Sequence, residues 1–112
     1  MSRTDRPWGY YEILQTSPIF QVKKLVVRPG KRLSLQSHRF RSEHWFVISG
    51  SGSAEIESQT TNLTIGSSVD IRVGEKHRLS ASSMEELTII EVQTGTNFDE
   101  NDIERYEDDF GR

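Results

Sequence analysis

Short runs of aromatic and β-branched residues, separated by turn residues, repeat along most of the chain. The strongest run is segment 87–93, in which a period of two places Glu91 and Gln93 on the same strand face as Leu87. Similar runs occupy residues 8–14, 20–27, 32–36, 43–49, 54–58, 63–65, 68–72 and 77–82. Because no segment before residue 96 shows sustained helical periodicity, the pattern predicts an all-β domain, a jelly roll or barrel of about eight to ten strands.

The C-terminal residues 99–112 follow a different pattern. They are rich in acids but also hold Ile103, Tyr106 and Phe110, a spacing that would line one face of a short helix. The sequence therefore predicts a short C-terminal helical tail that docks on the barrel.

Length, charge and composition exclude several classes of protein. The chain has 112 residues, which suits a single domain spanning 1–112. Its net charge is −3 and its basic residues are scattered among acids, which argues against a nucleic-acid partner. Cysteine is absent, which excludes disulfides, thiolate catalysis and Cys-rich zinc sites. Because there is no membrane-length apolar stretch and no apolar core of a signal peptide, we expect a cytoplasmic protein with no membrane partner.

Two of the three histidines stand in spacings that suit a metal site. Gln36 and His38 would share one face of a strand, Glu43 opens the next strand, and His77 opens a further one. Two imidazoles, a carboxylate and an amide oxygen suit one divalent ion, with Zn preferred and Mn, Co, Ni or Fe as alternatives. The segment with Gln36, His38 and Glu43 could by itself be a chance pairing, and His77 by itself could be a hydrogen-bonded core histidine. The two segments together predict the site.

Five ordered motifs, which together span most of residues 6–112, carry a family resemblance. They are Arg6-Pro7-Trp8-Gly9, Pro29-Gly30-x-x-Leu33-Ser34-Leu35-Gln36-x-His38, Arg41-x-Glu43-His44-Trp45, Ile90-Glu91-Val92-Gln93-x-Gly95 and Glu107-Asp108-x-x-Gly111-Arg112. The chain resembles type II mannose-6-phosphate isomerases of the cupin superfamily, with Gln36 in place of the usual first cupin histidine.

The resemblance implies a fold, a reaction and a partner. The fold would be a cupin jelly-roll barrel with a metal ion in its mouth, and the reaction would interconvert mannose 6-phosphate and fructose 6-phosphate. In many of these proteins the cupin is the C-terminal part of a bifunctional mannose-1-phosphate guanylyltransferase–isomerase. The chain would then be the isomerase module standing alone, with a separate guanylyltransferase as a possible partner.

Further residues are candidates for catalysis and substrate binding. Glu91, an acid in the middle of an apolar strand, is the candidate general base; the alternative is an ion-paired glutamate on the barrel rim. Arg41 is the second catalytic candidate, beside the metal. For the substrate and its phosphate the candidates are Lys31, Gln93, Arg105 and Arg112. Arg105 and Arg112 could instead pair with the acids of the tail.

Neighbouring side chains are expected to play other parts. His44 alternates away from Glu43, so we expect it to face away from the metal, whereas Trp45 shares the face of Glu43 and should line the pocket. We expect Trp8 and Phe46 to belong to the core.

Other functions remain open at this stage. A binding or regulatory cupin could hold a phosphorylated sugar or a metal without turnover. An iron oxygenase is a third class, although nothing in the sequence demands iron. A homodimer is expected, because open sheet edges are often covered by pairing.

Overall fold

The computed structural model describes residues 2–99 and 101–111, and within these residues it is built from strands alone. No helix in this part of the chain is long and apolar enough to cross a membrane. In chain order the strands are β1 Arg3–Arg6, β2 Gly9–Thr16, β3 Phe20–Val27, β4 Leu35–Ser37, β5 Arg41–Ser49, β6 Gly52–Ile56, β7 Gln59–Leu63, β8 Ser68–Ile71, β9 His77–Ala81, β10 Leu87–Gly95 and β11 Glu104–Glu107.

The strands form two antiparallel sheets that face each other. One sheet has the order β1-β2-β3-β10-β5-β8, and the other has the order β11-β4-β9-β6-β7. One hydrophobic core lies between them, with Val27, Val47, Leu79 and Ile89 at most 1% exposed. This is the predicted all-β jelly roll. The side chains that alternate inward from both sheets also define where a buried polar site can form.

Strand β10 confirms the face assignment made from its pattern. Leu87, Ile89, Glu91 and Gln93 are all buried, while the residues between them are more exposed. The assignment of Phe46 to the core is wrong. Phe46 is 42% exposed because it alternates outward on β5, next to the buried Trp45.

The predicted helical tail is wrong in conformation but right in position. Residues 104–107 form β11, which pairs antiparallel with β4, with Arg105 opposite Gln36. As a strand, the tail forms backbone hydrogen bonds with the open edge of β4, which it could not form as a helix. Isolated short helices also have only marginal stability in water. Phe110 still packs against the core, and the Tyr106 hydroxyl lies 2.9 Å from Ser37 Oγ.

Two short strands were not predicted as such. β1 is a charged edge strand without an apolar face, and β7 is mostly exposed. The hairpin between β6 and β7 turns at Glu57 and Ser58, which adopt positive φ angles of 47° and 71°. Residues 54–58 therefore do not form one continuous strand, since the last two belong to the turn.

Candidate metal centre

His38, Glu43 and His77 meet in the interior between the two sheets. Each is at most 5% exposed, and one potential ligand atom from each lies within 4.8 Å of the others. The Glu43 carboxylate lies 3.2 Å from His38 Nε2 and 3.5 Å from His77 Nε2. Two ligand atoms on one ion, at bond lengths near 2.1 Å, lie about 3.0–3.4 Å apart. These separations therefore suit a shared ion.

The hydrogen bonds of the two imidazoles decide which nitrogen faces the centre. His38 Nδ1 lies 2.7 Å from the Asp102 carbonyl oxygen, and His77 Nδ1 lies 2.9 Å from the Glu75 carbonyl oxygen. Because a carbonyl only accepts, both Nδ1 atoms donate, and in the neutral rings both Nε2 atoms present lone pairs to Glu43. His38 Nε2 is buried without a hydrogen-bond partner. A proton could satisfy one imidazole–carboxylate pair, whereas a divalent ion would satisfy all three groups.

Gln36 is the predicted fourth ligand. It stands opposite His77 in the pairing of β4 with β9 and lines the same cavity. Its Nε2 donates to Ser34 Oγ at 3.1 Å. That bond commits the amide nitrogen to the protein and leaves the Oε1 atom for a ligand role.

A second carboxylate, that of Glu91, lies beside Glu43. Trp45 Nε1 donates to both carboxylates, at 3.2 Å to Glu43 and 2.9 Å to Glu91. Gln93 Nε2 also bridges them, at 3.2 Å and 3.0 Å. Gln21 in turn donates to Gln93 Oε1 at 3.0 Å, so the amide of Gln93 is fully engaged within the protein.

The two carboxyl groups differ in their affinity for a proton. Burial, followed by the charge of Glu43, raises the pKa of Glu91 well above its usual value. Burial also acts to raise the pKa of Glu43, but the adjacent imidazoles of His38 and His77 outweigh it in their protonated forms and hold that pKa well below its usual value. Burial lowers the pKa of His77, which favours the neutral ring that a metal ion requires.

The cavity above the centre is lined by several cationic side chains. Arg41 is buried: its Nη1 donates to the Asp99 carbonyl, and its Nε lies 3.4 Å from Glu43 without a hydrogen-bond partner among the described residues. Lys23 is buried and stands directly across the β3–β10 pair from Glu91, with its Nζ 4.5 Å from the centre of the Tyr11 ring. The remaining cations on the lining are Arg6, Arg78 and Arg105.

The predicted substrate-binding residues do not all lie at the cavity. Arg105 and Gln93 do line the cavity. Lys31 does not: it is exposed in the turn after β3, where its charge acts on the tail residue Asp109. Its prediction as a substrate-binding residue is therefore corrected, because the turn carries its side chain to the outer surface. Arg112 lies outside the described residues.

The expectations for His44 and Trp45 are confirmed. His44 faces away from the centre and pairs with Asp70 on the outer surface at 2.6 Å. Trp45 lines the cavity, as does Trp8.

Lys23 and Asp102 were missed by the sequence reasoning. A signal for Lys23 exists, since its period of two with Leu25 and Val27 places it inward by the argument that was applied to Glu91. Asp102 offers no such signal. Its carbonyl oxygen orients His38, and every residue carries a carbonyl.

Comparison with known proteins assigns the family. Residues 1–108 match the family described as "Mannose-6-phosphate isomerase C-terminal". The chain belongs to the mannose-6-phosphate isomerase C-terminal family. It is 46% identical over 107 residues to the alginate biosynthesis protein AlgA of Pseudomonas aeruginosa, and 39% identical to a mannose-1-phosphate guanylyltransferase of Salmonella montevideo. Each alignment covers 96% of this chain.

Both of these relatives are much longer than this chain. The chain spans 22% of the length of AlgA and 23% of that of the Salmonella protein. Among solved structures, a cupin-2 domain from Rhodospirillum rubrum, Rru_A2000, superposes with a TM-score of 0.72 at 17% identity. That superposition covers 83% of this chain and 67% of the other, and it identifies the fold as a cupin fold.

Proposed function

We propose that this chain is a metal-dependent isomerase that interconverts mannose 6-phosphate and fructose 6-phosphate through a cis-enediol(ate). The observation that carries the proposal is the arrangement in one buried site: a candidate metal centre, a proton-accepting carboxyl group beside it and cationic side chains on the same cavity. Family membership supports the choice of reaction.

The ion would be held by His38, Glu43, His77 and the Oε1 atom of Gln36. A divalent ion bound there would polarise the oxygens at C1 and C2 of the sugar. Zn is our first choice of metal because imidazole and carboxylate ligands both suit it, and Mn, Co, Ni or Fe are alternatives.

Glu91 is the group that we assign to proton transfer between C1 and C2. It lies next to Glu43 on the inner face of β10, and its raised pKa suits a carboxyl group that both takes and returns a proton. The bridging amide of Gln93 would orient Glu91 rather than bind the sugar, because its polar atoms are already engaged. Arg41 would counter negative charge beside Glu43 as the enediolate forms.

The phosphate would bind at the cationic side of the cavity. We assign this role to Lys23 and Arg105, both of which reach the cavity lining. A guanidinium group suits phosphate oxygens because it donates two parallel hydrogen bonds. Arg112 remains a proposed phosphate ligand on the resemblance alone.

The setting of the enzyme follows from the same proposal. Phosphorylated hexoses are intracellular metabolites, so the proposed location is the cytoplasm. The relatives named for alginate biosynthesis and for mannose-1-phosphate guanylyltransferase suggest a pathway towards polysaccharides and a guanylyltransferase partner. A single cupin domain over residues 1–112 and a homodimer stay predictions.

The proposal is tested by incubating the purified full chain with fructose 6-phosphate and one of Zn, Mn, Co or Ni. We expect mannose 6-phosphate to form, and we expect His77→Ala to abolish its formation. The same samples are titrated with fructose 6-phosphate in a calorimeter. Saturable binding without turnover under every metal would contradict the isomerase and favour a binding or regulatory cupin.

A further inference from the structure

The segment that leads into β11 forms hydrogen bonds with the loop between β4 and β5. The two oxygens of the Asp102 carboxylate accept the backbone N–H groups of Arg39 and Phe40, each at 3.0 Å. Asp102 is 8% exposed although it lies in an acidic, otherwise largely exposed tail. Burial of a carboxylate is unfavourable unless its oxygens are satisfied, and here both are.

The same residue also contacts the candidate metal ligand His38. The Asp102 carbonyl oxygen accepts the hydrogen bond from His38 Nδ1 at 2.7 Å. The loop that carries His38 is thus held twice, at its backbone by the Asp102 carboxylate and at its imidazole by the Asp102 carbonyl. Both contacts come from a segment about sixty residues away in sequence.

Neighbouring contacts hold the Asp102 turn in place. The Asp102 N–H donates to the Asp99 carbonyl at 3.0 Å, and the same carbonyl accepts Arg41 Nη1 at 3.1 Å. On the other side, Arg105 stands opposite Gln36 in the β11–β4 pair. The segment therefore meets the metal-bearing region on both sides of His38.

We propose that Asp102 is a positioning residue for the metal centre: it selects the His38 tautomer and orientation that aim Nε2 at Glu43, and thereby sets the affinity for the ion. This inference rests on the metal centre of the proposed function but not on the isomerase reaction. Hydrogen-bonded partners of metal-ligating histidines fix the ring in this way, and their loss typically lowers metal affinity by about 10–100-fold.

The first test measures metal affinity with no sugar present. Asp102→Ala, Asp102→Asn and wild-type protein compete with a chromophoric chelator for Zn²⁺ and Co²⁺. Asp109→Ala is the matched control, because it removes an exposed tail aspartate that pairs with Arg32 instead. Asp102→Ala keeps the backbone carbonyl but removes the carboxylate that anchors it beside His38, so we expect about 10–100-fold weaker binding. We expect a smaller loss for Asp102→Asn, which keeps one acceptor oxygen, and no loss for Asp109→Ala. Affinity of Asp102→Ala within about twofold of wild type would overturn the proposal.

The second test needs no variant and so does not depend on whether Asp102→Ala folds. In Zn²⁺-loaded wild-type protein, ¹⁵N NMR of the His38 ring should show the proton on Nδ1 and the metal on Nε2, as the hydrogen bond from Nδ1 to the Asp102 carbonyl requires. A ring that binds the metal through Nδ1 would overturn the proposal. If His38 and the metal affinities behave as expected but the protein shows no isomerase activity, only the proposed reaction is rejected. If the protein is active but Asp102→Ala binds metal as tightly as wild type, only the role of Asp102 is rejected.

Discussion

Glu43 and Glu91 carry the same functional group on neighbouring strands, yet their surroundings shift their pKa values in opposite directions. Glu43 faces two imidazoles and Arg41, which stabilise its ionised form. Glu91 is equally buried but faces Glu43 itself, so a second negative charge there is disfavoured. At the residue scale, neighbours therefore distinguish the acid that we propose as a metal ligand from the acid that we propose as the proton carrier.

The first prediction concerns Glu91→Gln. The amide keeps the shape of the side chain and an oxygen for Trp45 Nε1, but it cannot take a proton from carbon. We expect kcat for the proposed isomerisation to fall about 10²–10⁴-fold with metal content unchanged. The measurement is a coupled isomerase assay with metal analysis, and Glu86→Gln, on the exposed turn before β10, is the control. If Glu91→Gln kept the kcat of the wild-type protein, Glu91 would not be the group that transfers the proton.

The second prediction concerns Lys23→Met, which keeps much of the side-chain volume and removes the charge. Hydrogen bonds to charged groups contribute about 1.5–3 kcal/mol, so we expect KM for fructose 6-phosphate to rise about 10–100-fold while metal affinity stays the same. Lys24→Met is the control, because Lys24 is the next residue on β3 but pairs with Glu12 on the outer face. Equal KM values for the two variants would place the phosphate elsewhere.

At the scale of the element, the turns between strands decide how closely the sheets approach. Gly50, after β5, and Gly74, after β8, have nearly the same φ angles, 85° and 84°. They differ in space: a Cβ on Gly50 would lie 1.8 Å from the Glu86 carbonyl oxygen, whereas a Cβ on Gly74 would have nothing within 4 Å.

The third prediction uses this pair of glycines. Gly74→Ala should lower the free energy of unfolding only by the cost of a left-handed alanine, about 1–2 kcal/mol. Gly50→Ala adds a clash with backbone and should lower it by about 1–3 kcal/mol more. Urea unfolding followed by tryptophan fluorescence measures both. Equal losses would mean that the turn after β5 can move away from residue 86.

At the scale of the whole molecule, the three residues proposed to bind the metal come from three different strands or loops and from both sheets. His77 opens β9 in one sheet, Glu43 lies in β5 of the other, and His38 lies in the loop between β4 and β5. An ion bound there would link the two sheets and would bind the folded chain much more tightly than the unfolded one.

The fourth prediction is therefore a metal-dependent stability. Removing the ion with a chelator and adding it back at a hundredfold excess over Kd should change the free energy of unfolding by about 2.7 kcal/mol. For a domain of this size, that corresponds to a rise in Tm on the order of 10 °C. Calorimetric melting with and without Zn²⁺ measures it, and His77→Ala should show no rise. An identical Tm in wild-type protein with and without each candidate metal would contradict the site.

The sequence alone was sufficient for the all-β class and for the inward faces of the strands. The period of two assigns Glu91 to the interior of β10 and turns His44 away from Glu43, because alternation is a local property of an extended backbone. The spacing of Gln36, His38 and Glu43 likewise reflects local geometry. The family motifs then made one reaction the leading hypothesis for these residues.

Only the tertiary structure decided which distant segments pair with each other and form backbone hydrogen bonds. The spacing of Ile103, Tyr106 and Phe110 suits a helix, but the open edge of β4 pairs with the tail and makes it a strand. Asp102 reaches His38 through a carbonyl group, which is the same in every residue and so leaves no trace in the sequence. Side-chain periodicity predicts faces, whereas pairing partners depend on which edges meet in space.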